Sequence, residues 1–241
     1  MSMDLYDEIE RRKSCRKFSD EPLSEEQLQE VEVALQGFDL LYPEVTLKHR
    51  LATEVKGMFV VRAPHYLIVS GQGKPHELES AGFLFEQLIL WFSAQGLGCV
   101  WQGGAKSADK DVSGNDLIII AFGAPKKPPY RQLIEFDRKA IDDITNAPND
   151  PCIQAVHLAP SGMNLQPWYL EQTRNEVLLY KQKISAPQGL LYKLADLDLG
   201  IALCHYMLAC KHLGKSFSFE GSTDLPAKKG CQPFGVITSE G

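Results

Sequence analysis

The sequence has no CxxC pair, no long uncharged apolar run and no surplus of positive charge. Its six cysteines (Cys15, Cys99, Cys152, Cys204, Cys210 and Cys231) read as reduced thiols of a cytoplasmic protein rather than a disulfide framework. The N-terminus, MSMDLYDEIERR, is acidic and amphipathic and does not resemble the apolar stretch of a signal peptide. The most apolar stretch, Ala81 to Trp101, is interrupted by Glu86, Gln87 and Gln95, so it suits a buried core helix and not a membrane span. With a net charge of −6 and no basic face, the chain is a poor partner for nucleic acid. No Ser-His-Asp set or paired carboxylates can be read. Cys204, His205, Cys210 and His212 do not form a recognisable ligand pattern, so no metal is expected.

What is present is an ordinary globular composition, 44% hydrophobic and 23% charged, in a chain of 241 residues. Periodicity predicts helices over 3–13, from Ser24 to about Leu35, and over 75–96, 138–144, 149–159 and 190–213. Strands are predicted at PHYLIVSG (64–71), CVWQ, DLIIIAFG, 167–173, 176–181 and Ser216 to Phe219. Residues 14–22 read as extended, and 36–62 show no clear period. APKKPPYRQ (124–132) reads as a proline-rich basic linker. Helices and strands alternate irregularly, which predicts a layered α+β fold rather than a repeating βαβ chain.

Two segments are alike. SAGFLFEQLILWFSAQGLGCVWQGG from Ser80 and DLGIALCHYMLACKHLGKSFSFEGS from Asp198 keep three glycines in register: Gly82 with Gly200, Gly96 with Gly214, Gly103 with Gly221. Phe85, Ile89 and Leu90 fall opposite Leu203, Met207 and Leu208. The similarity predicts an internal duplication, with halves at 1–125 and 126–241 intertwined as one pseudo-symmetric globule.

Two motifs stand out chemically. In an extended Arg12-Lys13-Ser14-Cys15-Arg16, alternate side chains would place Arg12, Ser14 and Arg16 on one face. Two guanidinium forks and a hydroxyl suit a phosphate dianion, although a solvated basic stretch after a helix explains the motif better when it is taken alone. Ala159-Pro160-Ser161-Gly162-Met163-Asn164 supplies a turn, and the Asn164 amide can both donate and accept. Alone it reads as well as a plain turn.

Taken together, these segments resemble the nitroreductase family. RRKSCRKFSDEPLSEEQL is similar to its N-terminal phosphate segment and APSGMNLQPW to its flavin-contacting turn. AGFLFEQLILWFSAQGLGCVWQGG is similar to its central helix and strand, and LIIIAFGAPKKPPYRQLIEF to its last strand and basic segment. The order differs, because the turn follows the basic segment, as in fused, pseudo-dimeric members. The resemblance implies an α+β fold, a nitroreductase-like three-layer α-β-α sandwich with a mixed, mainly antiparallel sheet, holding one FMN per chain. Arg12, Ser14 and Arg16 would contact its phosphate and ribityl chain, with Lys127 and Arg131 completing the phosphate pocket. Pro160, Ser161 and Asn164 would face the ring, and Gln102, Gly103 and Gly104 would approach its reactive edge through backbone N–H groups.

Arg138-Lys139-Ala140-Ile141-Asp142 reads as the degraded counterpart of the first motif, belonging to a lost second site. The activity implied is ping-pong reduction of nitroaromatic or quinone-like small molecules by NAD(P)H. A flavin-binding protein without turnover, and reductive dehalogenation or flavin cleavage on the same fold, are the rival readings. The fused fold implies a monomer.

Overall fold

The structure is a computed structural model that describes residues 4–108, 115–187, 189 and 192–240. Its helices are α1 (Tyr6–Arg11), α2 (Glu25–Gln36), α3 (Glu77–Ala94), α4 (Pro151–His157) and α5 (Ala195–His212). Its strands are β1 (Lys48–Ala52), β2 (Val55–Gly57), β3 (His65–Ser70), β4 (Gly98–Trp101) and β5 (Ala105–Ser107). They continue with β6 (Asp116–Gly123), β7 (Trp168–Gln172), β8 (Val177–Gln182), β9 (Ser218–Gly221) and β10 (Cys231–Thr238).

The α+β class expected from the sequence is observed, with the strands divided between two four-stranded sheets rather than one. Their orders are β1-β3-β6-β4 and β7-β8-β10-β9, and every ladder is antiparallel. Each sheet is built the same way along the chain: two strands, an 18-residue helix, then two more strands, with the fourth strand paired between the second and third. β2 and β5 form a separate ribbon.

Apolar alternation decides which way the first sheet faces. Leu67, Val69, Ile118, Ile120 and Phe122 join the main core with α3 and α5. Their neighbours Tyr66, Ile68, Ile119 and Ala121 form a second core with Cys15 and Phe18. That second core explains why residues 14–22, extended and without a regular element, lie across the sheet. Leu170, Val177, Leu179 and Ile237 of the second sheet enter the main core as well.

Helix α2 begins at a reciprocal cap: Ser24 Oγ accepts from Gln27 N, and the Gln27 side chain accepts from Ser24 N. α1 is shorter than the helix predicted over 3–13, whose first residue lies outside those described. Residues 190 and 191, predicted to open α5, also lie outside them. The predicted helix at 138–144 is only a 3₁₀ turn, Ile141–Asp143. β1 and β2 within 36–62, and β10, were not read from the sequence. β1 is half-exposed, and β10 contains Pro233 at a register shift, so neither carries a clean alternation.

α3 and α5 are buried almost all round, 14 of 18 residues in each, which fits two apolar helices packed face to face. They meet at the two aligned glycines. A Cβ on Gly82 would overlap the carbonyl oxygen of Leu197, and one on Gly200 would overlap that of Glu79. Gly82 and Gly200 are 118 residues apart, as are Glu79 and Leu197, so the contact is reciprocal. Alanine in a solvent-exposed helix is favoured over glycine by about 1 kcal/mol. Here Gly200→Ala should instead destabilise the fold by roughly 3 kcal/mol, because backbone must move to admit the methyl group. Urea unfolding checks this, and a neutral or stabilising result would mean that the helices do not cross at that point.

Candidate functional site

The N-terminal segment and the basic linker lie side by side. Helix α1 ends at Arg11, and Arg12 is extended. Lys13 N donates to Pro129 O at 2.8 Å, Arg131 N donates to Arg11 O at 2.8 Å, and Arg131 Nε donates to Arg12 O at 3.1 Å. These backbone bonds pair the two segments and bring Arg12 against Arg131.

Arg12 is turned inward rather than presented at the surface. It is 3% exposed, and its Nε lies 3.9 Å from Oε1 of Glu86, which is 0% exposed. Glu86 also accepts from Trp101 Nε1 at 3.0 Å and faces His205 Nε2 at 3.2 Å. His205 Nδ1 faces Ala155 O at 3.0 Å. A buried carboxylate beside a buried guanidinium is tolerable because these partners replace the lost water.

Arg138 joins the same cluster, which corrects the expectation that it belongs to a separate, lost site. Its guanidinium donates to Leu158 O at 2.8 Å and to Asn164 Oδ1 at 3.0 Å. Asn164 Nδ2 in turn donates to Asp137 O at 2.9 Å. Asp142, expected to repel a phosphate, is exposed on the 3₁₀ turn. Phe136 lies beneath both cations, with Arg131 3.5 Å and Arg138 5.3 Å from its ring centre. Burial and then the Arg12 and Arg138 charges push Arg131 down to about 9. Burial and then Arg12 push Arg138 down to about 10. A guanidinium does not give up its proton at neutral pH, so these shifts register first the loss of water and second the mutual repulsion of the three arginines. The buried Nε of Arg138 has no hydrogen-bond partner. The cluster therefore holds a spare donor and a surplus of cations, the features an anion would relieve.

The turn beside it is strained. Met163, Asn164 and Gln166 have φ of 51°, 57° and 45°, in the left-handed region. Several contacts hold it there. Ser161 Oγ accepts from Gln166 N at 2.8 Å, and Gln166 Oε1 accepts from Lys139 N at 2.9 Å. Asp198 Oδ1 accepts from Gly162 N at 3.1 Å, while its other oxygen accepts from Tyr192 at 2.5 Å. A Cβ on Gly162 would overlap Tyr192, and one on Gly103 would come 2.9 Å from Leu194. The segment before α5 thus touches both the Pro160–Asn164 turn and the glycines after β4.

The remaining expected residues divide. Ser14 and Pro160 are half-buried beside these elements. The Gln102 N–H donates to Ile119 O at 2.7 Å, and its side chain accepts from Val61 N at 3.1 Å. Its expected backbone role is therefore corrected, and Gly103 and Gly104 remain. Arg16 and Lys127 are exposed, and among the described residues no ion pair or hydrogen bond ties either to the cluster. The expectation that Arg12 and Arg16 share one environment fails, because Arg12 turns inward to Glu86.

Glu86, His205, Asp198, Tyr192 and Arg138 were missed as site residues. Glu86 carried a readable signal, an acid in the middle of an apolar helix, whereas Asp198, in the first turn of α5 beside Asp196, looks like an ordinary helix-start acid. Two cavities, about 560 and 590 Å³, lie elsewhere: one at Phe18, Lys56 and Tyr66, the other at Phe38, Trp91 and Lys211. Among the described residues no group of three metal-ligating side chains occurs, and no helix is long and apolar enough to cross a membrane.

The α+β fold, with its antiparallel sheets, is shared with structures of nitroreductases, a class of oxidoreductases. The chain belongs to the family described as "Putative TM nitroreductase", whose model matches residues 4–210. It is similar to the crystal structure of a putative nitroreductase from Thermotoga maritima, at 22% identity and a TM-score of 0.67, over 99% of this chain and 94% of that one. A putative NADH dehydrogenase/NAD(P)H nitroreductase from Parabacteroides distasonis matches 58% of this chain and 99% of its own, at 17% identity and a TM-score of 0.43. No curated protein matches.

Asp198 generates a pH prediction. Burial pushes its carboxyl from the ordinary 3.8 up to about 8, against the lowering pull of the Tyr192 and Gly162 hydrogen bonds. Between those values the folded state keeps a proton that the unfolded state has released. Stability attributable to Asp198 therefore falls as pH rises from about 4 to about 8, and levels off above. Chemical denaturation should show a shallower decline over that window in Asp198→Asn than in the native protein. Parallel curves would mean that Asp198 is ionised throughout.

Proposed function

We propose that the chain is an FMN-dependent oxidoreductase that reduces nitroaromatic or quinone-like small molecules with NAD(P)H. The observation that carries this reading is the convergence of Arg12, Arg131 and Arg138, with a buried unpartnered Nε, beside the strained Pro160–Asn164 turn. Such a cluster fits a phosphate monoester, and Arg131 and Arg138 are the groups to hold it. Arg12 acts mainly through Glu86 and the Arg131 contact, which fix the cluster's inner wall. Bound FMN would supply the hydride and electron chemistry in a ping-pong cycle, with one nucleotide per chain.

The chain's own residues do the rest. Ser161 keeps a hydroxyl proton free after accepting from Gln166 N. Asn164 offers its amide at the exposed side of the turn, and Gly103 and Gly104 lack side chains that would hold a planar ligand away from the backbone. Donors fixed in this way favour negative charge on a reduced ring without reorganising. We also read the repeated strand–strand–helix–strand–strand order and the reciprocal Gly82–Gly200 contact as support for a duplication with halves at 1–125 and 126–241. A single chain would then build a site that otherwise needs two subunits.

Titrating the apoprotein with FMN tests the reading. One equivalent should bind. Arg131→Ala and Arg138→Ala should each weaken binding roughly ten- to hundredfold, as expected for loss of a charge-assisted hydrogen bond, and exposed Arg16→Ala much less. No binding, two equivalents, or a dominant effect of Arg16 would sink this assignment. FMN binding without NAD(P)H oxidation in the presence of a nitroaromatic acceptor would favour a flavin carrier instead.

A further inference from the structure

The described cysteines are all free thiols. Two of them, 58 residues apart in sequence, face each other in the interior: Cys152 Sγ and Cys210 Sγ are 3.6 Å apart. Cys152 is in the first turn of α4, and Cys210 is in the last turn of α5. The others are placed differently. Cys15 points to Lys17 O, Cys99 points to Ile89 O, Cys204 is buried within α5, and Cys231 is half-buried on β10. We propose that Cys152 and Cys210 form a redox-active dithiol that a small hydroperoxide converts to a disulfide joining α4 to α5.

Geometry carries the proposal. A disulfide needs about 2.05 Å between sulfurs, so the pair must close by a little over 1.5 Å, within reach of small side-chain rotations. Both residues are covered, at 1% and 0% exposure, so a bulky disulfide oxidant has no approach. The cover is thin, since Lys215 and Ser239, which act on Cys210, are only half-buried. A water-sized oxidant therefore suits the site. Either sulfur can donate the hydrogen that lies between them, so one thiol can attack while the other resolves; Ser239 also bonds Cys210, and we take Cys210 as the attacking sulfur.

The steps balance. The Cys210 thiolate attacks a peroxide oxygen, the O–O bond breaks, and the leaving hydroxide takes a proton to become water. Cys210 is now a sulfenic acid. The Cys152 sulfur attacks it, the S–S bond forms, the S–O bond breaks, and the hydroxyl leaves with the Cys152 proton as a second water. Two thiols and one hydrogen peroxide give one disulfide and two waters. The link lies between the helices that support the strained turn: α4 runs directly into it, and α5 holds Ala155 O through His205 and Gly162 N through Asp198. It requires no flavin, so its test is independent of the proposed function.

The reduced, folded protein is treated with hydrogen peroxide. The remaining thiols are then alkylated under denaturing conditions, and peptides are mapped by mass spectrometry. Two of the six cysteines should escape alkylation, joined as Cys152–Cys210, and a thiol reductant should restore both. In Cys152→Ser the remaining Cys210 thiol should end as a sulfenic acid that dimedone traps once the protein is denatured, and Cys231→Ser should leave the link intact. Circular dichroism verifies that each variant is folded, and the native protein alone decides the matter if one is not. Six alkylated thiols after peroxide, a link between any other two cysteines, or over-oxidation of Cys210 with no link would overturn the proposal.

Discussion

Two carbonyl oxygens occupy the space where side chains would be at Gly82 and Gly200, and the rest of the molecule is arranged around that approach. It brings α3 and α5 within backbone contact, so the helices act as a single central element to which both sheets attach. Helix propensity disfavours glycine at such positions, and the tertiary contact outweighs it. One turn beyond Gly82 on α3, Glu86 faces His205, which lies on the corresponding side of α5 beyond Gly200. The crossing thus decides which polar groups meet at the centre.

Those groups make the interior charged as well as apolar. Glu86 is the buried anion on which Arg12, Trp101 and His205 converge, each from a different segment. Removing any one partner would leave another polar group dry, so the N-terminal segment, the strand after α3 and the α4–α5 pair are coupled electrostatically. Arg12 carries this coupling outward, since its carbonyl accepts from Arg131. The position of the cationic cluster therefore follows from the core and not from surface loops alone.

Much of this was legible in the sequence where burial and period agree. PHYLIVSG, DLIIIAFG and the two long apolar helices fall within a residue or two at most of the ends predicted, except at the start of α5. Gly82 and Gly200 were visible as aligned positions before their contact was known. Elements without a clean period were not legible: β1, exposed along part of its length, and β10, broken at Pro233. At the site, RRKSCR and the basic linker stood out in the sequence as cationic segments, but their backbone pairing and the placement of Arg138 did not. A pattern argument that treats each half-motif as a separate site assigns Arg138 by its neighbour Asp142. In the fold those two side chains part, Arg138 turning in to Asn164 and Asp142 staying in solvent. Gln102 was misjudged because a strand end offers its N–H to the neighbouring strand first.

The turn at Pro160–Asn164 shows how the core and the site depend on each other. Three non-glycine residues in left-handed conformations each cost on the order of 1–3 kcal/mol, so the turn would relax if it were free. It is held by Arg138 on Asn164, Lys139 on Gln166, and Asp198 on Gly162, which belong to two different parts of the chain. Asp198 sits at the start of the helix that Gly200 presses against α3, so the force restraining the turn is transmitted from the crossing. The Asn164 amide is directed by a guanidinium that itself retains an unpartnered Nε. Asn164 is fixed at both ends of its amide, Oδ1 accepting from Arg138 and Nδ2 donating to Asp137 O, so the segment that supplies a cation to the cluster also sets the direction of the turn's amide.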